Sequence, residues 1–317
     1  MRTIYFSLIM VVILTTGCSF RQQPNPATPA PIVPPLSDPA PTPNPNIPNF
    51  DHVAIITFEN REFESVIGSQ DAPVINQLAD GNTLLTEYYA ITHPSLPNYV
   101  ALIGGDTYGY TETCENCPVS ATNLADLLER SGRTWRSYQE SMPKHCLLWA
   151  PFSQYVAKHN PFLYYSNILN DGERCSEHVV DWEDYGEDVE EGNLPNFIFI
   201  SPNLCSAGHD CTLATADTWL GELLPPLERS LQAESDDYLI IITWDEGETE
   251  KSCCGLPDKA GGKIATILIS PRAKDEFKDS TPYTTYSLLK TISEAWGLPL
   301  LGHAADASNL PILAPWK

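Results

Sequence analysis

Basic side chains are scarce in this sequence of 317 residues: 18 Lys and Arg stand against 41 Asp and Glu, a formal charge of −23. A surface this acidic repels phosphate backbones, which excludes a general nucleic-acid binder. It also lacks the basic patch that would hold a peripheral protein on anionic lipid. Long apolar stretches are few, and the strongest, Ile4–Leu14, is too short to span a bilayer by default. No G-x-S-x-G occurs, so a lipase-type nucleophile elbow is disfavoured. There is no internal repeat. What is present is core material: 42% hydrophobic and 10% aromatic residues suit one large domain or two small ones.

The N-terminus reads as an export signal. Arg2 supplies a positive start, Ile4–Leu14 the apolar run, and Thr15-Thr16-Gly17 a small-residue site before Cys18. A cysteine in that place resembles a bacterial lipoprotein cleavage site, so residues 1–18 are expected to be a signal peptide with Cys18 acylated. The expected location is then exported and lipid-anchored to a bacterial membrane, facing periplasm or cell exterior. Residues 19–49 follow as a linker, because 11 of the 29 residues from Arg21 to Asn49 are proline. Proline at that density forbids helix and ladder pairing and favours an extended spacer. Removing 1–49 leaves 16 basic and 40 acidic residues, or −24, so the acidity belongs to the folded part.

Eight cysteines remain after Cys18: Cys114, Cys117, Cys146, Cys175, Cys205, Cys211, Cys253 and Cys254. An even number behind an export signal argues for disulfides. A redox role for Cys114-x-x-Cys117 lacks a preceding thioredoxin-like strand, and zinc lacks a second CxxC or clustered Cys/His spacing. Sequence proximity favours Cys205–Cys211 and Cys146–Cys175.

Residues 50–317 alternate strand-like and helix-like segments. His52–Phe58, Phe197–Ser201, Tyr238–Trp244 and Ile264–Ile269 are apolar on both faces, as in strands buried between helical layers. Helical patterns intervene over Ala72–Asp80, Pro97–Ile103, Thr122–Gly132, Asp217–Gln232 and Thr284–Gly297. The pattern predicts an α/β/α sandwich around a mostly parallel sheet. Ligands of such sheets bind at the carboxyl ends of strands. There the sequence places Glu59-Asn60, Ser201-Pro202-Asn203 and Asp245-Glu246-Gly247. Each alone fits turn chemistry, but converging oxygen donors suit a divalent cation. Asp181–Glu191, with seven acidic residues in eleven, reads as a solvated loop, with a weak surface calcium site as the alternative.

The nucleophile candidate is Ser95. Pro97 suits a first helical turn, and Ser95 falls near the N-cap, where an anion is welcome. A neighbouring metal would lower its hydroxyl pKa. Asn98, one turn on, could donate to an oxyanion.

FENREFESVIG (58–68), THPSLPNYVALIGG (92–105), FISPNLCSAGHDC (199–211), TWDEG (243–247), ATILISP (265–271) and YTTYSLLKTISEAWGLPLLGHAADA (283–307) occur in order. Together they resemble the phosphoesterase family of bacterial and fungal acid phosphatases and bacterial phospholipases C, within the alkaline-phosphatase superfamily. The resemblance covers essentially all of 50–317. It implies an alkaline-phosphatase-like fold and a metal-dependent hydrolase of phosphate esters acting through a phosphoserine. Glu59, Asn60, Ser95, Asp245 and Glu246 match the metal ligands, and Ser95 is also the nucleophile. Asn98 matches an oxyanion-binding asparagine. His209 and Asp210 match a segment that reaches the active site, with His209 as general acid or phosphate contact. His93 is a weaker substrate-binding candidate.

The sequence departs from relatives in two places. Thr285 stands where many carry His, and Asp245-Glu246 replaces the Asp-His pair of two-zinc members. One oxygen-coordinated divalent cation is therefore expected, with calcium, zinc, magnesium and manganese all suited. The sulfatase motif (C/S)-x-P-x-R is broken, since Tyr99 holds the arginine position. A small phosphate monoester is the expected substrate. A phospholipase C or phosphodiesterase, acting on phospholipid, is the alternative within the family, and a non-catalytic, disulfide-stapled surface lipoprotein the alternative outside it. The acidic charge is a handicap for drawing in anionic esters from a distance, so attraction must be local.

Overall fold

The computed structural model describes residues 41–317 except positions 113, 115 and 151–153. The signal segment, Cys18 and its acylation, and most of the 19–49 linker lie outside the described residues. Among the described residues no helix is long and apolar enough to cross a membrane.

Nine strands form one sheet: β1 His52–Phe58, β2 Thr83–Tyr89, β3 Trp135–Gln139, β4 Val179–Val180, β5 Phe197–Ser201, β6 Tyr238–Trp244, β7 Lys263–Ile269, β8 Phe277–Asp279 and β9 Tyr283–Thr284. Their order is β4-β3-β5-β1-β6-β7-β2-β8, with β9 beside β2. Only β7 runs against its neighbours β6 and β2. The other pairs are parallel. Every residue of β1, β5 and β6 is buried, which requires cover on both faces and explains why these strands read as unbroken apolar runs.

The cover comes from α1 Phe63–Val66, α2 Pro73–Gly81, α3 Ser95–Gly104, α4 Leu124–Arg130, α5 Ser166–Leu169, α6 Gly172–His178, α7 Trp182–Glu191, α8 Leu213–Glu234 and α9 Thr285–Ala295. Helices α2 and α7 pack on α8, and α3 packs on α4 and α9. The mostly parallel sandwich expected from the pattern is the observed one. Strands β2 and β3 were not legible, since TLLTEYY and WRSYQ carry polar residues that tertiary partners satisfy. Arg136 pairs with Asp188, and Thr83 Oγ1 donates to Lys274 O at 2.8 Å.

Two expectations need correction. The packed chain starts before position 50: Asn44 donates its N–H to Glu294 O at 2.8 Å and its amide to Glu294 Oε2 at 2.7 Å, and Ile47 is buried. The last residues of the expected linker therefore belong to the fold. The acidic run Asp181–Glu191 is no loop. Asp181 caps α7 by accepting from Glu183 N at 3.0 Å, Gly192 ends it at φ 66°, and Asp188 points inward to Arg136 and Tyr138. The disulfides are Cys146–Cys175 and Cys205–Cys211, as expected, together with Cys114–Cys117 and the adjacent pair Cys253–Cys254.

Candidate active site

Register brings the acidic residues together. Phe58 of β1 lies opposite Trp244 of β6, so the next residues, Glu59 and Asp245, leave the sheet side by side. The ladder runs one bond further, with Asp245 N–H donating to Phe58 O at 3.0 Å. Asn60 then turns at φ 43°, a left-handed conformation that asparagine tolerates better than most residues. The turn aims its N–H at Asp245 Oδ1, 3.1 Å away. The Asn60 carboxamide lies 3.2 Å from both Asp245 Oδ1 and Glu246 Oε1.

Ser95 completes the group from the opposite side. It is the first residue of α3, and Pro94 holds the cap position without a side-chain cap bond. The hydroxyl is thus free of the capping duty that an N-terminal serine usually performs. Ser95 Oγ instead donates to Glu246 Oε1 at 3.0 Å and lies 3.5 Å from Glu59 Oε2.

These groups are deeply buried: Glu59, Ser95, Asp245 and Glu246 are 0%, 2%, 4% and 5% exposed. Burial, then the neighbouring Glu246 charge, pushes the Asp245 carboxyl up to about 7. Glu59 is raised well above the usual carboxylate range by burial first and by Asp245 second. Three buried carboxylates, a hydroxyl and a carboxamide facing one another are electrostatically costly unless a cation joins them. The all-oxygen donor set fits a hard or borderline divalent ion. Glu59, Asn60, Ser95, Asp245 and Glu246 are the residues that could hold it.

The pattern of the phosphoesterase family matches residues 68–299. The chain belongs to the phosphoesterase family. It is 35% identical to a probable acid phosphatase of Kluyveromyces lactis over 84% of this chain and 63% of that protein. With a phosphate-repressible acid phosphatase of Penicillium chrysogenum it shares 32% over 82% and 62%. The chain thus spans about three fifths of the length of these fungal relatives. A phosphatidylinositol-3-phosphatase of Mycobacterium tuberculosis is 29% identical over 85% of this chain and 84% of that protein. Among solved structures, an alkaline-phosphatase-superfamily protein of Vibrio parahaemolyticus superposes with TM-score 0.55 at 14% identity, covering 82% of this chain and 69% of that one. The lipoteichoic acid synthase LtaP of Listeria monocytogenes gives 0.55 at 11%, covering 85% and 79%. Likeness at that identity speaks to the fold.

Around the phosphoesterase cluster, three sequence expectations change. Asn98 is not an open oxyanion donor. Its Oδ1 accepts from Ile91 N and Thr92 N at 3.0 and 3.1 Å, and its Nδ2 donates to Thr92 O and Pro94 O at 2.7 and 3.3 Å. The amide is spent on shaping the loop that presents Ser95. His93 is likewise engaged at both ring nitrogens, with Nδ1 on Glu246 Oε2 and Nε2 3.0 Å from Thr249 O. The Glu246 hydrogen bond raises its pKa to about 9. It is a clamp on Glu246 rather than a substrate contact. Asp210 is more than half exposed and serves His209, whose Nδ1 lies 2.6 Å from Asp210 Oδ1.

His209 sits on the loop after β5, which Cys205–Cys211 closes and whose Ala207 O accepts Glu59 N–H at 3.2 Å. Its ring lies 6.3 Å from that of His159.

His159 is the residue that sequence reading missed. It is fully buried, stacks on Tyr99 at 5.2 Å, and brings Nε2 to 3.2 Å from Glu59 Oε1 without hydrogen-bond alignment. The aligned donor is Tyr99 Oη, 2.5 Å from the same oxygen. Burial, then Lys158, holds the His159 pKa well below the ordinary value. Tyr99, noticed in the sequence only as the residue that breaks the sulfatase motif, is thus the buried hydroxyl that orients Glu59. A lone histidine in KHNPF offered no periodic signal. Glu62 was also missed: it receives Thr249 Oγ1 at 2.8 Å and the N–H groups of Glu248, Thr249 and Lys263 at 3.1 to 3.2 Å. It ties down the loop that follows Asp245-Glu246, and Gly247 leaves room for it, since a Cβ there would come within 2.3 Å of Glu62 Oε2.

Proposed function

We propose that this chain is a metal-dependent phosphomonoesterase that works through a phosphoserine. The observation that carries the reading is Ser95: a buried hydroxyl, uncommitted to capping, at the N-terminus of a ten-residue helix and bonded to a carboxylate of the β1/β6 edge. A helix N-terminus favours the charge of an incoming phosphoryl group. A divalent cation held by Glu59, Asn60, Ser95, Asp245 and Glu246 would supply Lewis-acid chemistry, easing ionisation of the hydroxyl and offsetting phosphoryl charge.

The chain's own residues do the rest. Ser95 Oγ gives its proton to the nearest carboxylate acceptor, Glu246, and bonds to phosphorus as the bond from phosphorus to the alcohol oxygen breaks. His209, oriented through Nδ1 by Asp210, offers Nε2 as the proton source for the departing alcohol. Water then attacks phosphorus, releasing inorganic phosphate and restoring the serine hydroxyl. Tyr99, His93 and Asn98 hold Glu59, Glu246 and the Ser95 loop in place.

The acid-phosphatase relatives support hydrolysis of a phosphate ester. Four disulfides suit an oxidising compartment, and export with acylation of Cys18 is part of the same reading. The test is purified protein with p-nitrophenyl phosphate, its bis ester and phosphatidylcholine across pH, with each of calcium, magnesium, manganese and zinc. Hydrolysis of the monoester, abolished in Ser95→Ala, is expected. Failure to release phosphate under every condition would sink the proposal.

A further inference from the structure

A small apolar cluster lies apart from the main core: Ile91, Ala101 and Tyr286, with Leu256 packed on it. Ile91, Leu256 and Tyr286 line a cavity of about 440 Å³ that the chemistry above does not use, a volume in the ordinary range for small-molecule sites. One wall is the nucleophile loop at Thr92, whose carbonyl accepts Asn98 Nδ2. A second is the loop after β6 near Cys254 and Leu256, the continuation of the stretch that begins with Asp245 and Glu246. The C-terminal segment 303–309 and residues 107–111 close it. The cavity therefore shares two loops with the carboxylate edge.

Its lining mixes two chemistries. Leu256 and the ring of Tyr286 give it apolar surface. Around them stand three exposed residues: Lys259, paired with Glu250 at 3.1 Å, Ser308, and Asp306, bound to His303 Nδ1 at 2.8 Å. The Tyr286 phenol, itself largely buried, makes no hydrogen bond among the described residues, and Ser308 is exposed. A purely apolar ligand would cover these polar groups without satisfying them, which is costly. An aromatic face ringed by donors and acceptors suits a compound with C–H faces and many hydroxyls.

We propose that this cavity seats the alcohol part of the substrate and selects phosphate esters of sugars or sugar alcohols. The inference rests on the phosphoesterase reading above, which accounts for the phosphoryl half of the ester and leaves the other half without a seat. The test compares glucose 6-phosphate with methyl phosphate on the full chain. Leu256→Trp fills the cavity, and Tyr286→Phe removes one hydroxyl with little risk to folding. The ratio of kcat/KM for glucose 6-phosphate to that for methyl phosphate should fall about tenfold in Leu256→Trp and severalfold in Tyr286→Phe, chiefly through KM. An unchanged ratio in both variants, or an equal fall for both esters, overturns the proposal. Should the unmodified chain hydrolyse neither ester with any divalent cation, the phosphoesterase reading fails separately. Titration of glucitol into that chain and into Leu256→Trp, followed by NMR, then decides the cavity: saturable binding lost in the variant supports a polyol site, and no binding overturns it.

Discussion

Two acidic regions of this protein look alike in the sequence and behave as opposites in the structure. Helix α7 carries most of its carboxylates outward, and the one it buries, Asp188, meets Arg136 and the Tyr138 hydroxyl. At its start Asp181 and Asp184 meet His145, a half-buried grouping with ligand atoms within 4.8 Å of one another. The β1/β6 edge carries fewer acids but buries all of them, and its neighbours His93, His159 and Tyr99 arrange the carboxylates without neutralising the set. Density of charge therefore does not mark a functional site. Buried charge without matching basic partners does, because the protein sustains that desolvation only where a ligand repays it.

Substitutions should separate the two regions cleanly. Ser95→Ala is expected to lower kcat on the order of a thousandfold while leaving Tm unchanged; a variant with near-normal turnover would remove the edge from the chemistry. Asp188→Asn should do the reverse, costing about 2 kcal/mol in urea unfolding by leaving Arg136 only its longer contact with Asp184, with kcat of the folded fraction preserved. Tyr99→Phe sits between them. Loss of its bond to Glu59 should reduce kcat/KM about tenfold and weaken cation binding, read by calorimetry, and His159 should not compensate because its nitrogen is misaligned.

A smaller effect comes from pH. The Asp245 pKa is raised to about 7, so the folded state holds its proton more tightly than the unfolded chain. In chelator, its contribution to stability is therefore lost as pH rises from about 4 through about 7. Tm should fall over that window, less steeply in Asp245→Asn, and a saturating divalent cation should raise Tm more at neutral than at acidic pH. An identical slope in the variant would contradict the assignment. Glu190→Gln, on the exposed face of α7, should shift stability by less than about 0.5 kcal/mol and leave activity alone.

What could be read from the sequence follows from the same physics. Strands buried on both faces are written as continuous apolar runs, so Glu59-Asn60 and Asp245-Glu246 stood out where β1 and β6 end. The linear order of motifs pointed to Ser95 and His209. Other features depend on contacts made across the fold. Whether the Asn98 amide faces a ligand or its own loop is set by the path of residues 91–94, and His93 is claimed by Glu246, 153 residues away. Strand β3 hides because Arg136 is paired with Asp188, 52 residues away, which no local pattern names. The amphipathic character of α7 was masked by its acids, and only the inward turn of Tyr185 and Asp188 reveals a packed face.

The reversed direction of β7 has a consequence for how this fold can diversify. In a parallel sheet each connection must cross to the far edge before the chain re-enters, so its length and helix are constrained. Here the chain leaves β6 and returns into β7 at one edge, between neighbouring strands. The intervening stretch, from Asp245 to Gly262, is a cassette with adjacent ends, pinned by Glu62 and carrying the Cys253–Cys254 disulfide. Closing a longer loop between such ends costs little extra entropy. Exchanging its outer part, beyond the Glu62 contacts, would recut the cavity wall while sheet register and carboxylate geometry stay as they are.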